Sequence, residues 1–205
     1  MERPIFHPVG TPVEQLDTPA LVIDLDVMDR NIKTFQGYFT NSVVKARPVV
    51  TSHLCPQIAH RQLEADGTMG GIAVTTLGEA EVFANSGFAD ILLANQVVTV
   101  SKIRRLCALA GQTSIGIAVD NPDNAKQLSA GAVSAGVELR VLVEIEAGMG
   151  RCGIAPGPEA VALAQTGDGL PGLKCEGIKG AVPCPKRDDQ PSAPEARSRS
   201  NRQSA

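Results

Sequence analysis

The residues of this chain best suited to chemistry are few and far apart. A glycine-rich run, Gly148-Met149-Gly150-Arg151-Cys152-Gly153, follows the apolar stretch Val141 to Ile145 and fits the G-x-G-x-x-G spacing of dinucleotide-binding turns. In that use a helix must open at the glycines, so that its free N–H groups face a pyrophosphate. Here Ile154-Ala155-Pro156-Gly157-Pro158 intervenes, and Asp168, spaced where a ribose-binding acid is needed, sits in the loop-like Thr166-Gly167-Asp168-Gly169. The run reads better as a loop at the carboxyl end of a barrel strand, with Arg151 facing the mouth or, in the plainer reading, solvent. Glu79 and Glu81 are two apart on a helix and do not face one another, so they are no acid–base pair; Glu79 reads as part of a cap. Lys179 ends the last strand-like run, either as an amine for imine chemistry or as a solvated lysine at a fraying edge. His60 reads as an exposed helix residue.

The elements that must position these residues alternate short β-branched runs with longer amphipathic ones, the pattern of parallel strands joined by helices. The fold class is α/β. Strands are expected at Ala20 to Asp24, Val43 to Val50, Gly71 to Val74, Ile91 to Ala94, Ile115 to Val119, Arg140 to Ile145 and Cys175 to Gly180. Several are almost wholly apolar, as buried parallel strands are. Thr76-Leu77-Gly78-Glu79 has capping-box spacing, and Asn121-Pro122 sets a capping side chain before a first-turn proline. Asp26 to Phe39 gathers Met28, Ile32 and Phe35 or Phe39 on one helix face, and Lys102 to Leu109 gathers Ile103, Leu106 and Leu109.

Composition narrows the function classes. In 205 residues with 43% hydrophobic content there is one sizeable core, and a net charge of −3 offers no basic footprint for nucleic acid. No apolar run reaches the ~20 residues of a membrane helix, and the start lacks a signal-peptide stretch, so a cytoplasmic chain with no membrane partner is expected. The five cysteines are odd in number and widely spaced, which points to ordinary thiols rather than a disulfide framework or a metal cluster. After Val182 the composition shifts to a Ser, Pro, Arg and Ala mixture, and residues 183–205 read as a disordered polar tail. Residues 1–17 read as an N-terminal extension and residues 18–182 as the folded part.

Several stretches together resemble one family. Leu16-Asp17-Thr18-Pro19-Ala20-Leu21-Val22-Ile23-Asp24, Leu77-Gly78-Glu79-Ala80-Glu81, Asp90-Ile91-Leu92-Leu93-Ala94-Asn95-Gln96-Val97 and Glu144-Ile145-Glu146-Ala147-Gly148-Met149-Gly150-Arg151-Cys152-Gly153 resemble, in order, D-threonine aldolases and their D-serine dehydratase relatives. The last stretch is shared with the wider alanine-racemase-like barrels. The resemblance runs from about Leu16 to Gly180 and implies a partial (β/α)8 TIM-type barrel of about six of eight strands, with the family's C-terminal β domain absent. It implies pyridoxal phosphate as cofactor and lysis of D-3-hydroxy amino acids as reaction. The family's phosphate-holding loops and metal-binding histidine come from parts not found here, so no residue inherits a metal role.

One departure bears directly on activity. The family's Schiff-base lysine stands in an Arg-Pro-His-x-Lys-Thr-His-Lys stretch, whereas this chain reads Arg47-Pro48-Val49-Val50-Thr51-Ser52-His53-Leu54, with Thr51 at the lysine position. A hydroxyl cannot form an imine. Lys45 lies six residues earlier, roughly 20 Å away at about 3.3 Å per strand residue. By resemblance Arg151 and His53 are vestigial cofactor-binding residues, Arg151 supplying charge near the cofactor phenolate or a substrate carboxylate.

The reading is a truncated, inactive relative of D-threonine aldolase; alternatives are a non-catalytic binding or regulatory protein for a small amino acid, and a gene fragment without selected function. Six strands leave two sheet edges open, which favours self-association. Size-exclusion chromatography with light scattering is expected to show oligomers; a monodisperse, cooperatively melting monomer would count against that expectation.

Overall fold

The computed structural model describes residues 7–182, so the expected tail at 183–205 lies outside the described residues. The described residues form two compact units.

The first unit comprises the described residues up to Pro48 together with Cys55–Gly71. It holds a 3-10 turn at Val13–Gln15, helix α1 at Leu25–Gly37 and helix α2 at Pro56–Glu64. The Asp24 side chain starts α1 by accepting a hydrogen bond from the Val27 N–H at 2.9 Å. Arg61 on α2 makes a two-pronged ion pair with Asp29 on α1, at 3.1 and 2.9 Å. Gln36, buried, donates from Nε2 to the Gln62 carbonyl at 2.8 Å. Lys45 donates to the Phe39 and Thr40 carbonyls just past α1, and so serves the end of that helix.

The second unit comprises Val49–Leu54 and the described residues from Ile72 onward. Five strands, β1 (Ile72–Val74), β2 (Asp90–Leu93), β3 (Ser114–Val119), β4 (Leu139–Ile145) and β5 (Leu173–Gly180), alternate with helices α3 (Leu77–Asn85), α4 (Val100–Ala110), α5 (Pro122–Ala135) and α6 (Pro158–Gly169). All strands are parallel, in the order β1-β2-β3-β4-β5. A dinucleotide-binding sheet reverses its strand order at a switch point; this one does not, and consecutive order is that of a β/α barrel. Moreover, α6 begins at Pro158, beyond the glycine run, as the sequence indicated.

Side chains alternate across this sheet. One face carries Ile91, Leu93, Ile115, Ile117, Val141 and Val143, all fully buried with Phe83, Leu106 and Leu128 from the helices. The opposite face carries Leu92, Gly116 and Leu142 as lateral neighbours: a Cβ added at Gly116 would touch the Leu92 Cδ1 at 3.2 Å and the Leu142 Cδ1 at 3.6 Å. At the amino end of that face Arg140 pairs with Asp90 and, at 3.3 Å, with Glu176. The punctuation foreseen for the helices is present: Thr76 accepts from the Glu79 N–H, and Asn121 accepts from the Asp123 and Asn124 N–H groups. Ile103, Leu106 and Leu109 form the buried face of α4.

Three expectations need correction. Ala20 to Asp24 is no strand, and its Leu21, Val22 and Ile23 are exposed, because Asp24 is used as a helix cap. Val43 to Val50 yields only isolated bridges, Ala46 to Thr68 and Val49 to Ala73, before the chain coils into a 3-10 turn at Val50–Ser52. Pro48 has no N–H for a ladder, and the first of the six expected barrel strands is reduced to the bridge at Val49. Asp168 lies in the last turn of α6 rather than in a loop.

Leu128 is fully buried on α5 beneath the sheet. Leu128→Ala is expected to lower stability by about 3 kcal/mol, within the usual range for a buried leucine truncation. A urea titration that shifts by less than a third of that would show that α5 is not packed as described.

Candidate active site

The carboxyl ends of the five strands deliver a polar side chain each: Thr75 just past β1, Gln96 past β2, Asp120 after β3, Glu144 near the end of β4 and Lys179 near the end of β5. This is the end of the strands at which barrel enzymes build their sites.

Glu144 is the centre of the larger cluster. Its carboxylate is 1% exposed, so water cannot solvate it, and every stabilising contact comes from the protein. Oε2 accepts from Gln96 Nε2 at 2.8 Å, while Oε1 accepts from the Lys179 ammonium and from Cys152 Sγ at 3.3 Å. Gln96 also donates to Asp120 Oδ2 at 3.0 Å, and the Gly153 N–H reaches the same oxygen at 3.0 Å. Four strand ends and the loop after β4 are therefore joined through two carboxylates.

Lys179 reaches this cluster because of a β-bulge. Up to Val141–Cys175 the β4–β5 register advances evenly; then Leu142 pairs with Gly177, leaving Glu176 as the extra residue. Without that slip Ile178 would oppose Glu144. With it Lys179 does, and Ile178 turns outward, 73% exposed. The solvated-lysine reading of Lys179 is overturned: its side chain is only 16% exposed.

The loop after β4 is closed at its neck. The Ile154 N–H donates to the Glu144 carbonyl at 2.8 Å and the Glu146 N–H to the Ile154 carbonyl at 2.9 Å. Inside the loop the Glu146 carboxylate accepts from the N–H groups of Gly148 at 2.6 Å and Arg151 at 3.0 Å. The Gly150 N–H above all, with those of Gly148, Arg151 and Met149, holds this carboxyl below its ordinary range against the upward push of desolvation. Gly153 has φ +111°, and a Cβ there would lie 2.5 Å from the Glu146 nitrogen, so only glycine fits the turn. Arg151 itself is exposed.

The smaller cluster surrounds Thr51, which sits in the 3-10 turn at Val50–Ser52. Its hydroxyl donates to Glu79 Oε2 at 2.7 Å. The Thr75 N–H donates to the same oxygen at 3.0 Å and the Thr75 hydroxyl to Oε1 at 3.2 Å. Thr76 caps α3 as foreseen, but the Glu79 side chain turns to Thr75 and Thr51 instead of completing the box. Burial pushes the Glu79 carboxyl up; the bonds from the Thr75 backbone and from the Thr51, Thr75 and Thr76 side chains outweigh it and hold the group below its usual range. His53 is half-buried at the end of the turn, and His60 is exposed on α2 as expected. Sequence reading missed Gln96, Asp120, Glu144 and Cys152 as a group. Among the described residues no set of His, Cys, Asp and Glu converges to hold a metal ion, the four described cysteines are unbridged, and no helix is long and apolar enough to cross a membrane.

Residues 23–204 match the alanine racemase N-terminal domain family. The chain belongs to that family. Within it the chain is 38% identical over 170 residues to the D-threonine aldolase of an Arthrobacter species and 33% identical over 172 residues to the 3-hydroxy-D-aspartate aldolase of Paracoccus denitrificans. Each alignment covers 83% of this chain and 44% of the relative, so this family member spans less than half the length of the curated relatives it matches. The crystal structure of the D-threonine aldolase from Filomicrobium marinum superposes with a TM-score of 0.76 at 38% identity, over 80% of this chain and 43% of that one. The D-threonine aldolase-like resemblance and the partial β/α barrel expected from sequence are thereby borne out.

The depressed Glu79 carboxyl stabilises the fold above its unfolded-state pKa, about 4.3, and that contribution is lost as pH falls through the lower folded-state value. Thr51→Val keeps the shape of the side chain and removes one donor to Glu79. It is expected to cost about 1 kcal/mol at neutral pH, shrinking as both proteins protonate Glu79 in acid. Urea midpoints measured across the acid range test this; a difference independent of pH would reject the assignment.

Proposed function

We propose that this chain is a non-lyase member of the D-threonine aldolase group, and that its barrel mouth holds a small amino acid without cleaving it. The observation that carries the reading is the Thr51 hydroxyl on Glu79 Oε2 at 2.7 Å, at the position where the resemblance requires an amine. Pyridoxal phosphate must condense with an amine to be anchored and exchanged, and it is the cofactor that supplies the electron sink for Cα–Cβ cleavage. The residues present do not fit that anchoring. Thr51 has no amine, and Lys179 stands on β5, at the other edge of the sheet from β1, beside which the Thr51 turn lies. No step of the lyase reaction is therefore assigned to this chain.

What the mouth retains is suited to binding. Arg151, exposed on the loop after β4, supplies a cation for a carboxylate, and His53, half-buried beside the Thr51 turn, supplies a polar edge. Both are vestiges of a cofactor site in this reading. A ligand bound without turnover stabilises the fold in proportion to its concentration over its dissociation constant.

With D-threonine and pyridoxal phosphate supplied together, aldehyde release is expected to match that of the free cofactor alone, while D-threonine raises the melting temperature. Release that saturates with D-threonine and disappears on heat inactivation would overturn the reading.

A further inference from the structure

We propose that Lys179 is a carbonyl-trapping amine, which forms an imine with a small uncharged aldehyde and uses Glu144 as proton acceptor and counter-ion. The proposal concerns β5 and does not rest on the reading of Thr51.

Three features single out this lysine. It stands at the carboxyl end of a barrel strand, the side of the fold from which ligands enter. Its partner is held in place: Glu144 Oε2 is fixed by Gln96 at 2.8 Å and Oε1 by Cys152 at 3.3 Å, so the ion pair is a fixed geometry and not a passing surface contact. The lysine keeps 16% of its side chain open while the carboxylate behind it is 1% exposed, so the lysine is the member of the pair that faces outward. The other lysine pairs differ. Lys126 with Asp123 and Lys174 with Glu176 are solvated, at 61% and 58% exposure of the lysine, and Lys33 and Lys102 lie on exposed helix surface.

The chemistry balances within the pair. The ammonium gives one proton to Glu144, and the neutral nitrogen adds to the carbonyl carbon. A carbinolamine forms, its hydroxyl takes the proton back from Glu144 and leaves as water, and the nitrogen is left as an iminium. One C–N bond forms and the C–O double bond is lost, with no oxidant or reductant required. Positive charge stays on the nitrogen throughout the start and end states, so the buried carboxylate keeps the cation that offsets its desolvation. The surroundings also select the ligand. Asp120 is bridged to Glu144 through Gln96, so two carboxylates stand at this end of the sheet, and an anionic 2-oxo acid is disfavoured against a neutral aldehyde.

The test is reductive alkylation of the full chain with acetaldehyde and cyanoborohydride, which reduces the iminium to an N-ethyl amine, with rates read for each lysine by peptide mass mapping. Lys179 is expected to label on the order of a hundredfold faster than Lys33, Lys102 and Lys126, the lower end of what a positioned acid–base group contributes. Glyoxylate should label it more slowly than acetaldehyde. Glu144→Gln should slow Lys179 alone. Labelling of Lys179 at or below the rate of the exposed lysines overturns the proposal, and because that comparison is internal to the unaltered protein it holds even where the variant fails to fold.

Discussion

The constraint on which this structure most depends is a carboxylate with no access to water. Burying an ionised carboxyl costs several kcal/mol unless charge and hydrogen bonds replace its solvation. Glu144 is compensated by one ammonium, one amide and one thiol, and each comes from a different segment: β5, the turn after β2 and the loop after β4. Satisfying one buried group thus fixes the relative settings of three segments that the hydrophobic core alone leaves free. Asp120 extends the arrangement to β3 by taking a second bond from the same Gln96 amide and one from the Gly153 N–H. Removing any one donor would leave a buried acceptor under-satisfied, which is more costly than never having built the network.

The division between scaffold and site runs along the two faces of the sheet. Ile91, Leu93, Ile115, Ile117, Val141 and Val143 need only be apolar and well packed against helices, and they specify the barrel whatever stands at its mouth. At the mouth, Glu144 and Lys179 tie strand ends together, whereas Thr51 and Glu79 form a local cluster beside β1. A family fold can persist where the lysine that resemblance requires is a threonine, since the Thr51 hydroxyl gives the half-buried Glu79 carboxylate a donor.

Legibility in the sequence followed the range of the interaction. Thr76 and Asn121 were readable as caps because their partners are three residues away at most, and the strands from Gly71 onward were readable from short β-branched runs, several of them almost wholly apolar. The run Ala20 to Asp24 looked like those strands, yet its last residue is drawn into capping α1. Val43 to Val50 looked the same, but Pro48 and the 3-10 turn reduce it to bridges. The pairing of Lys179 with Glu144 was not readable at all. The two are 35 residues apart, and the bulge at Glu176 shifts β5 by one residue, so alternation counted along the chain puts Ile178 beside Glu144 and is wrong by one. Gly177, at φ +147°, is the only local trace of that shift, and a glycine in a strand has several other causes.

The closed neck of the loop after β4 has a mechanical consequence. The bridge between Ile145 and Ile154 ties the two ends of the loop together, with Glu146 filling its interior from within. Residues between Ala147 and Arg151 are therefore insulated from the strand: a change of length or sequence there strains the loop's own ring of hydrogen bonds before it reaches the β4 register. The mouth of this barrel can be remodelled at that point like an interchangeable cartridge, with the load carried by the two residues at the clasp.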